Sequence, residues 1–191
     1  MILSHPHLAR AGGLLPTYRG RAAGKKELVF PKAKFIVGAD AWNRALHPHS
    51  RDKASFIPEL TGLLKDSGRL IVHGKDPLPT EISSRFEFIE TQGHTPGQMH
   101  TLFKGDKQKV FFCGDLIPGR PWVHLPITMG YDRFPEKLID EKAAVYQRAE
   151  KEHWLLFFTH DPSAPASEVK ASATGKFEPV QVRETLERFP L

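Results

Sequence analysis

Ser4-His5-Pro6-His7-Leu8-Ala9-Arg10-Ala11-Gly12-Gly13 is the stretch on which the reading of this chain turns. It follows Met1-Ile2-Leu3, which reads as the end of a buried strand, so His5 and His7 enter a loop directly off a sheet. The same design recurs at Gly93-His94-Thr95-Pro96-Gly97, at Gly114-Asp115 and at Thr159-His160-Asp161, where a strand ends and a potential metal ligand follows at once. Loops held by a rigid sheet are where sites are usually built. Imidazole nitrogens and carboxylates are donors that zinc, iron or manganese accept. Each piece alone has an ordinary reading: a surface histidine pair, a turn brace, a helix cap, a satisfied carbonyl. Their joint occurrence carries the argument.

Working outward, the apolar runs alternate between strand and helix. Phe35-Ile36-Val37 is a short strand bounded by Pro31 and Gly38, and Asp40 is placed to cap a helix through Leu46. Ala11 to Leu15 reads as the opening of another helix, and residues 47 to 68 as an irregular, partly helical lid. Strands are expected at Arg69–Val72, Phe86–Ile89, Met99–Phe103, Val110–Cys113 and Trp154–Phe158, with an edge strand around Lys176–Val180 that tolerates Pro179. Leu138, Ile139, Val145 and Tyr146 recur near helical spacing within a helix from Glu136 to His153. No internal repeat interrupts the pattern. The mixture implies an α/β or α+β architecture in one domain spanning residues 1–191.

Composition narrows the class. At 40% hydrophobic and 26% charged, the chain can bury a core and reads as a globular protein. No apolar run suffices for a membrane span, and the N-terminus shows no basic region followed by an apolar stretch. The single Cys113 excludes an internal disulfide framework and suits a reducing compartment, so a cytoplasmic location is expected. The formal charge is +5, with basic residues at Arg19, Arg21, Lys25, Lys26, Lys32 and Lys34 and again at Lys104, Lys107 and Lys109. The second group sits on a hairpin tip. No nucleic-acid recognition motif accompanies the charge, which argues against nucleic acid as a partner.

Together the four motifs resemble the metallo-β-lactamase superfamily. The first is similar to its H-x-H-x-D-H loop followed by Ala-Gly-Gly, Gly93–Gly97 to its G-H-T-P-G turn, Phe112–Leu116 to its strand ending in a bridging aspartate, and Phe158–Pro162 to its last ligand loop. Residues 43–58 and 116–132 look closest to the branch that includes quorum-quenching lactone hydrolases. The resemblance implies an αββα four-layer fold lacking its first strands, since Met1 already lies in the strand feeding the histidine loop. It implies a metal-dependent hydrolase in which activated water attacks a lactone or other ester carbonyl. His5, His7 and His94 would hold the first metal. Asp115 would be the bridging and catalytic carboxylate, and His160 would bind the second metal.

The family pattern breaks at two positions. Ala9 and Arg10 stand where the motif has its aspartate and second-site histidine. Alanine has no donor atom, and a guanidinium is a permanent cation with no lone pair to give. One zinc ion, or another divalent metal, is therefore expected, with the second site weak or empty. Trp122, His124 and Tyr131 are candidates to line the substrate cleft, against a reading as core aromatics in a Pro-rich loop. His100 is placed near the ligand turn, His47 and His49 in a solvated loop, and Cys113 in packing rather than nucleophilic chemistry. The missing strands would leave an exposed edge, which makes self-association an expectation. Beside the hydrolase reading stand a degenerate member with a binding or vestigial role and a nucleic-acid hydrolase.

Overall fold

The structure is a computed structural model that describes residues 1–16 and 27–187. Arg19, Arg21, Lys25 and Lys26 of the first basic cluster lie outside the described residues. The chain divides into two compact units, Met1–Leu78 and Pro79–Leu191.

The first unit is built on two parallel strands, β1 (Phe35–Gly38) and β2 (Leu70–His73), paired Phe35↔Leu70 through Gly38↔His73. Met1–Leu3 adds beside β1 through the bridge Ile2↔Ile36, with Leu3 N–H donating to Ile36 O at 2.9 Å. The expected strand end is thus a single bridge, and it delivers His5 past the end of a paired segment. Helix α1 (Leu8–Ala11) then starts earlier than the sequence suggests, because the His7 carbonyl accepts from both Arg10 and Ala11, and Gly12–Leu14 tightens into a 3₁₀ turn.

Helix α2 (Ala39–Leu46) corrects the expected cap: Gly38 holds the N-cap position and Asp40 lies in the first turn, where its carboxylate complements the helix dipole. The anticipated irregular excursion contains α3 (Pro58–Asp66), with Pro58 at the first helical position. Leu3, Leu14, Phe35, Val37, Leu60, Leu64 and Val72 form this unit's core.

The second unit is a six-stranded sheet in the order β3-β4-β5-β6-β7-β8. Its strands are Phe86–Thr91, Gln98–Lys104, Lys109–Phe112, Leu155–Phe157, Ala166–Ala171 and Phe177–Arg183. Every neighbouring pair is antiparallel except β5 and β6. A parallel pair needs a long crossover, which α5 (Pro135–Glu152) supplies after a short α4 (Thr80–Arg85) has opened the unit. Sequence reading gave no sign of α4 or of β7. Pro179 is accommodated because β8 is an edge strand. Leu138, Val145, Tyr146 and Ala149 of α5 pack with Phe111, Trp154 and Leu156 of the sheet region. Cys113 follows β5 rather than ending it and is wholly buried in this core, where desolvation pushes its thiol up, as a packing role requires.

Sheet register decides what meets at the sheet edge. The pairing Phe112↔Phe157, carried three residues forward along parallel β5 and β6, sets Asp115 opposite His160. The antiparallel pairing Thr101↔Phe112, carried three residues outward, sets Gln98 opposite Asp115. The β3–β4 turn that holds His94 lies at this same edge, because β4 begins where β5 ends. Residues beyond the carboxyl ends of parallel strands are the usual place for a site in such sheets.

Candidate metal centre

Two groups of potential ligands result, one in each unit. In the first, His5 is fully buried, and Ser4 Oγ lies 3.2 Å from its Nδ1, so the serine engages one ring nitrogen and Nε2 remains the candidate donor to a metal. The His5 and His7 rings sit edge to face, 4.5 Å between centroids. His7 bridges Phe56 through the backbone, and its ring rests against the Phe56 ring at 4.7 Å, so the 47–68 excursion packs on the histidine loop.

In the second unit, Asp115 stands between two imidazoles. One carboxylate oxygen lies 3.5 Å from His94 Nε2 and the other 3.2 Å from His160 Nε2. His94 Nδ1 lies 2.8 Å from Asp132 Oδ1. An ionised carboxylate only accepts, so it is the Nδ1–H of the ring that meets Asp132. Buttressing a ligand histidine with a carboxylate fixes its tautomer and ring orientation. Asp132 is itself held by the Met129 N–H, which donates to its second oxygen at 2.6 Å.

The surroundings of Asp115 are equally constrained. Gln98 Oε1 accepts the Asp115 N–H at 3.2 Å, and its amide nitrogen lies 3.1 Å from His100 Nε2. His100, buried and stacked on Phe111, donates from Nδ1 to the Phe112 carbonyl at 3.2 Å while Thr91 Oγ1 sits 2.8 Å from its Nε2. Gly114 at φ +52 lets the chain leave β5 against Gln98 and His100.

His160 is held by its loop. Asp161 accepts from Arg120 Nε at 2.8 Å and Nη2 at 3.1 Å and from three backbone N–H groups, those of Arg120, Ser163 and Ala164. The Arg120 guanidinium, first among these partners, holds the Asp161 carboxyl well below the usual carboxylate range. His160 N–H donates to Pro118 O at 2.8 Å.

Imidazole nitrogens together with a carboxylate are a donor set that suits a divalent ion. His5 and His7 in the first unit, and His94 in the second, each offer a ring nitrogen of the kind a metal ion takes. The positions that should complete a second site do not fit one. Ala9 is exposed on α1 without a donor atom, and Arg10 offers a cation.

Of the remaining candidates, Tyr131 is exposed with its ring 6.0 Å from that of His94. Trp122 packs against the core instead, and His124 is exposed while its carbonyl accepts from Lys142. His47 ends α2, and the exposed His49 accepts the Arg51 N–H. Sequence reading missed Asp132, Gln98 and Lys142, and quoted Asp161 within the His160 motif without giving it a role. Lys142 alone left a signal, as a charged residue on the Leu138–Tyr146 stripe of α5.

The sequence profile described as "Metallo-beta-lactamase superfamily" matches residues 1–160. The chain belongs to this superfamily. Among solved structures, it is similar to a probable metal-dependent hydrolase from Staphylococcus aureus at 24% identity and TM-score 0.75, covering 97% of this chain and 62% of that one. It is also similar to AidC, a dizinc quorum-quenching lactonase solved with a product, N-hexnoyl-L-homoserine, at 22% identity and TM-score 0.71, covering 96% and 63% of the two chains. The hydrolase AbOPH of the beta lactamase superfamily matches at 17% identity and TM-score 0.74, covering 94% and 62%. These likenesses establish the fold, and the chain spans about three fifths of the length of each of these proteins. No curated protein matches the sequence. Among the described residues, no helix is long and apolar enough to cross a membrane.

Proposed function

We propose that the chain is a metal-dependent hydrolase that binds one divalent ion, zinc first among the candidates, through His5, His7 and His94. Asp115 would supply a carboxylate to that ion or to the water it activates, and the substrate is a lactone or another ester of a small molecule. The observation that carries this reading is the Asp115 carboxylate faced by the Nε2 atoms of His94 and His160, with His94 anchored on Asp132. Membership of the superfamily supports the hydrolytic chemistry, and the product-bound lactonase among its neighbours supports the substrate class.

The chemistry such an ion supplies when bound is polarisation of the carbonyl and acidification of water. The protein's own residues do the rest. Asp132 keeps His94 in one tautomer, so that its Nε2 stays a donor to metal. The Asp115 carboxylate orients water and receives its proton. The exposed Tyr131 beside His94 gives the substrate a surface to lie on. Arg10 can neutralise a developing oxyanion but cannot deprotonate water, because its guanidinium stays charged.

Elemental analysis of the purified protein is expected to find close to one tightly bound equivalent; close to two would overturn the single-site reading. Ala9→Asp combined with Arg10→His restores the motif and is expected to raise the count toward two while increasing lactone hydrolysis. Lactonase activity that appears only in this double variant would instead make the parent a degenerate member with a binding role, which the loss of two donors favours.

A further inference from the structure

Helix α5 carries two adjacent charged residues, Glu141 and Lys142, that reach in different directions. The Glu141 carboxylate accepts the N–H groups of Gln92 at 2.7 Å and Gly93 at 2.9 Å, the residues immediately before His94. Lys142 is wholly buried on the apolar stripe, and its Nζ donates to the carbonyls of His124 at 3.0 Å, Leu125 at 3.0 Å and Ile127 at 2.9 Å. Those carbonyls begin the loop that ends in Asp132. Burying an ammonium is costly, and three carbonyls engaging its three protons are what make the placement tolerable.

Each tie secures one partner of the His94–Asp132 hydrogen bond. The two loops are also joined directly, since Arg133 N–H donates to His94 O at 3.2 Å and Phe134 N–H to Gly93 O at 2.8 Å. Gly93 leaves no slack: a Cβ there would sit 2.5 Å from Leu138 Cα on the same helix. The turn and the loop are therefore fastened to one rigid body.

We propose that Glu141 and Lys142 are paired positioning residues that set the separation of His94 and Asp132, and through it the tautomer that leaves His94 Nε2 available to a metal. The proposal rests on the reading of His94 as a ligand. It assigns to α5 a task beyond connecting two parallel strands.

Lys142→Met in the full chain tests it. In chelator-treated wild-type protein, the ring nitrogen shifts of His94 by NMR are expected to report the Nδ1–H form. In Lys142→Met with unchanged circular dichroism, they are expected to move to a mixture of tautomers, and cobalt(II) affinity to fall ~10–100-fold, the usual cost of disturbing a ligand's supporting shell. A folded variant with wild-type shifts and cobalt affinity overturns the proposal. Should Lys142→Met fail to fold, Glu141→Gln decides in the same way, since it removes one acceptor without touching the buried cation. His94→Ala keeps the two readings apart. Undiminished cobalt binding in that variant would sink His94 as a ligand, while the tautomer shift in Lys142→Met would still stand as evidence for positioning.

Discussion

The His5–His7 loop and the His94–Asp115–His160 cluster reach their geometry by opposite means. In the first unit, two histidines sit at a junction between a single backbone bridge and a four-residue helix, with Ser4 and Phe56 as their immediate supports. In the second, strand register places Asp115 opposite His160 and Gln98, and Asp132, Asp161 and the Glu141–Lys142 pair then hold each loop. Ala9 lies exposed on α1, and the Arg10 N–H donates to the His7 carbonyl at 2.9 Å. The members of the second cluster, by contrast, are tied to the sheet and its loops.

The sharpest way to break this comparison is to remove a proposed ligand from each side. His94→Ala and His5→Ala are each expected to weaken metal binding by more than the ~10–100-fold typical of an outer-shell change. Titration with a competing chelator measures this, and one ligand proving dispensable would confine the site to a single unit. Next in size, Gly93→Ala should destabilise the second unit by ~1–3 kcal/mol or more, because the new methyl meets helix backbone that cannot rotate away. Urea unfolding would show it, and a neutral result would mean that α5 is free to shift. Asp132→Asn is expected to cost ~10–100-fold in metal affinity with little change in folding. Isothermal titration would detect this, and an equal loss of stability would turn Asp132 into a packing residue.

The smallest effect lies at the far end of α5. Glu152 is held down to about 2 chiefly by its hydrogen bond to Lys109, assisted by Trp154 and Arg148. A depressed carboxyl stabilises the folded state above its ordinary pKa of ~4.3 and loses that contribution as pH falls through about 2. Glu152→Gln should therefore lower the urea midpoint modestly at pH 7, converge with the parent near pH 2, and leave metal affinity untouched. A gap that persists in acid would show that the residue acts through packing instead.

Much of the fold was legible because hydrophobic periodicity is local. Runs such as Val110–Phe112 and the α5 stripe need no knowledge of their partners to be recognised. Strand β7 escaped notice because Ala166, Ser167 and Glu168 carry little apolar signal, and its burial comes from pairing with β6 and β8. The cap at Gly38 was misread because Asp40 fits both a cap and a first turn, and only backbone angles separate the two.

The sequence by itself determined the family, the residue types able to bind metal and the gap at Ala9 and Arg10, because donor chemistry belongs to the side chain wherever it lies. The tertiary structure alone decided that Asp115 faces His160, that Asp132 meets His94 and that Lys142 reaches the carbonyls of His124, Leu125 and Ile127. Those relations depend on strand register and on contacts spanning tens of residues, and local spacing carries no record of either.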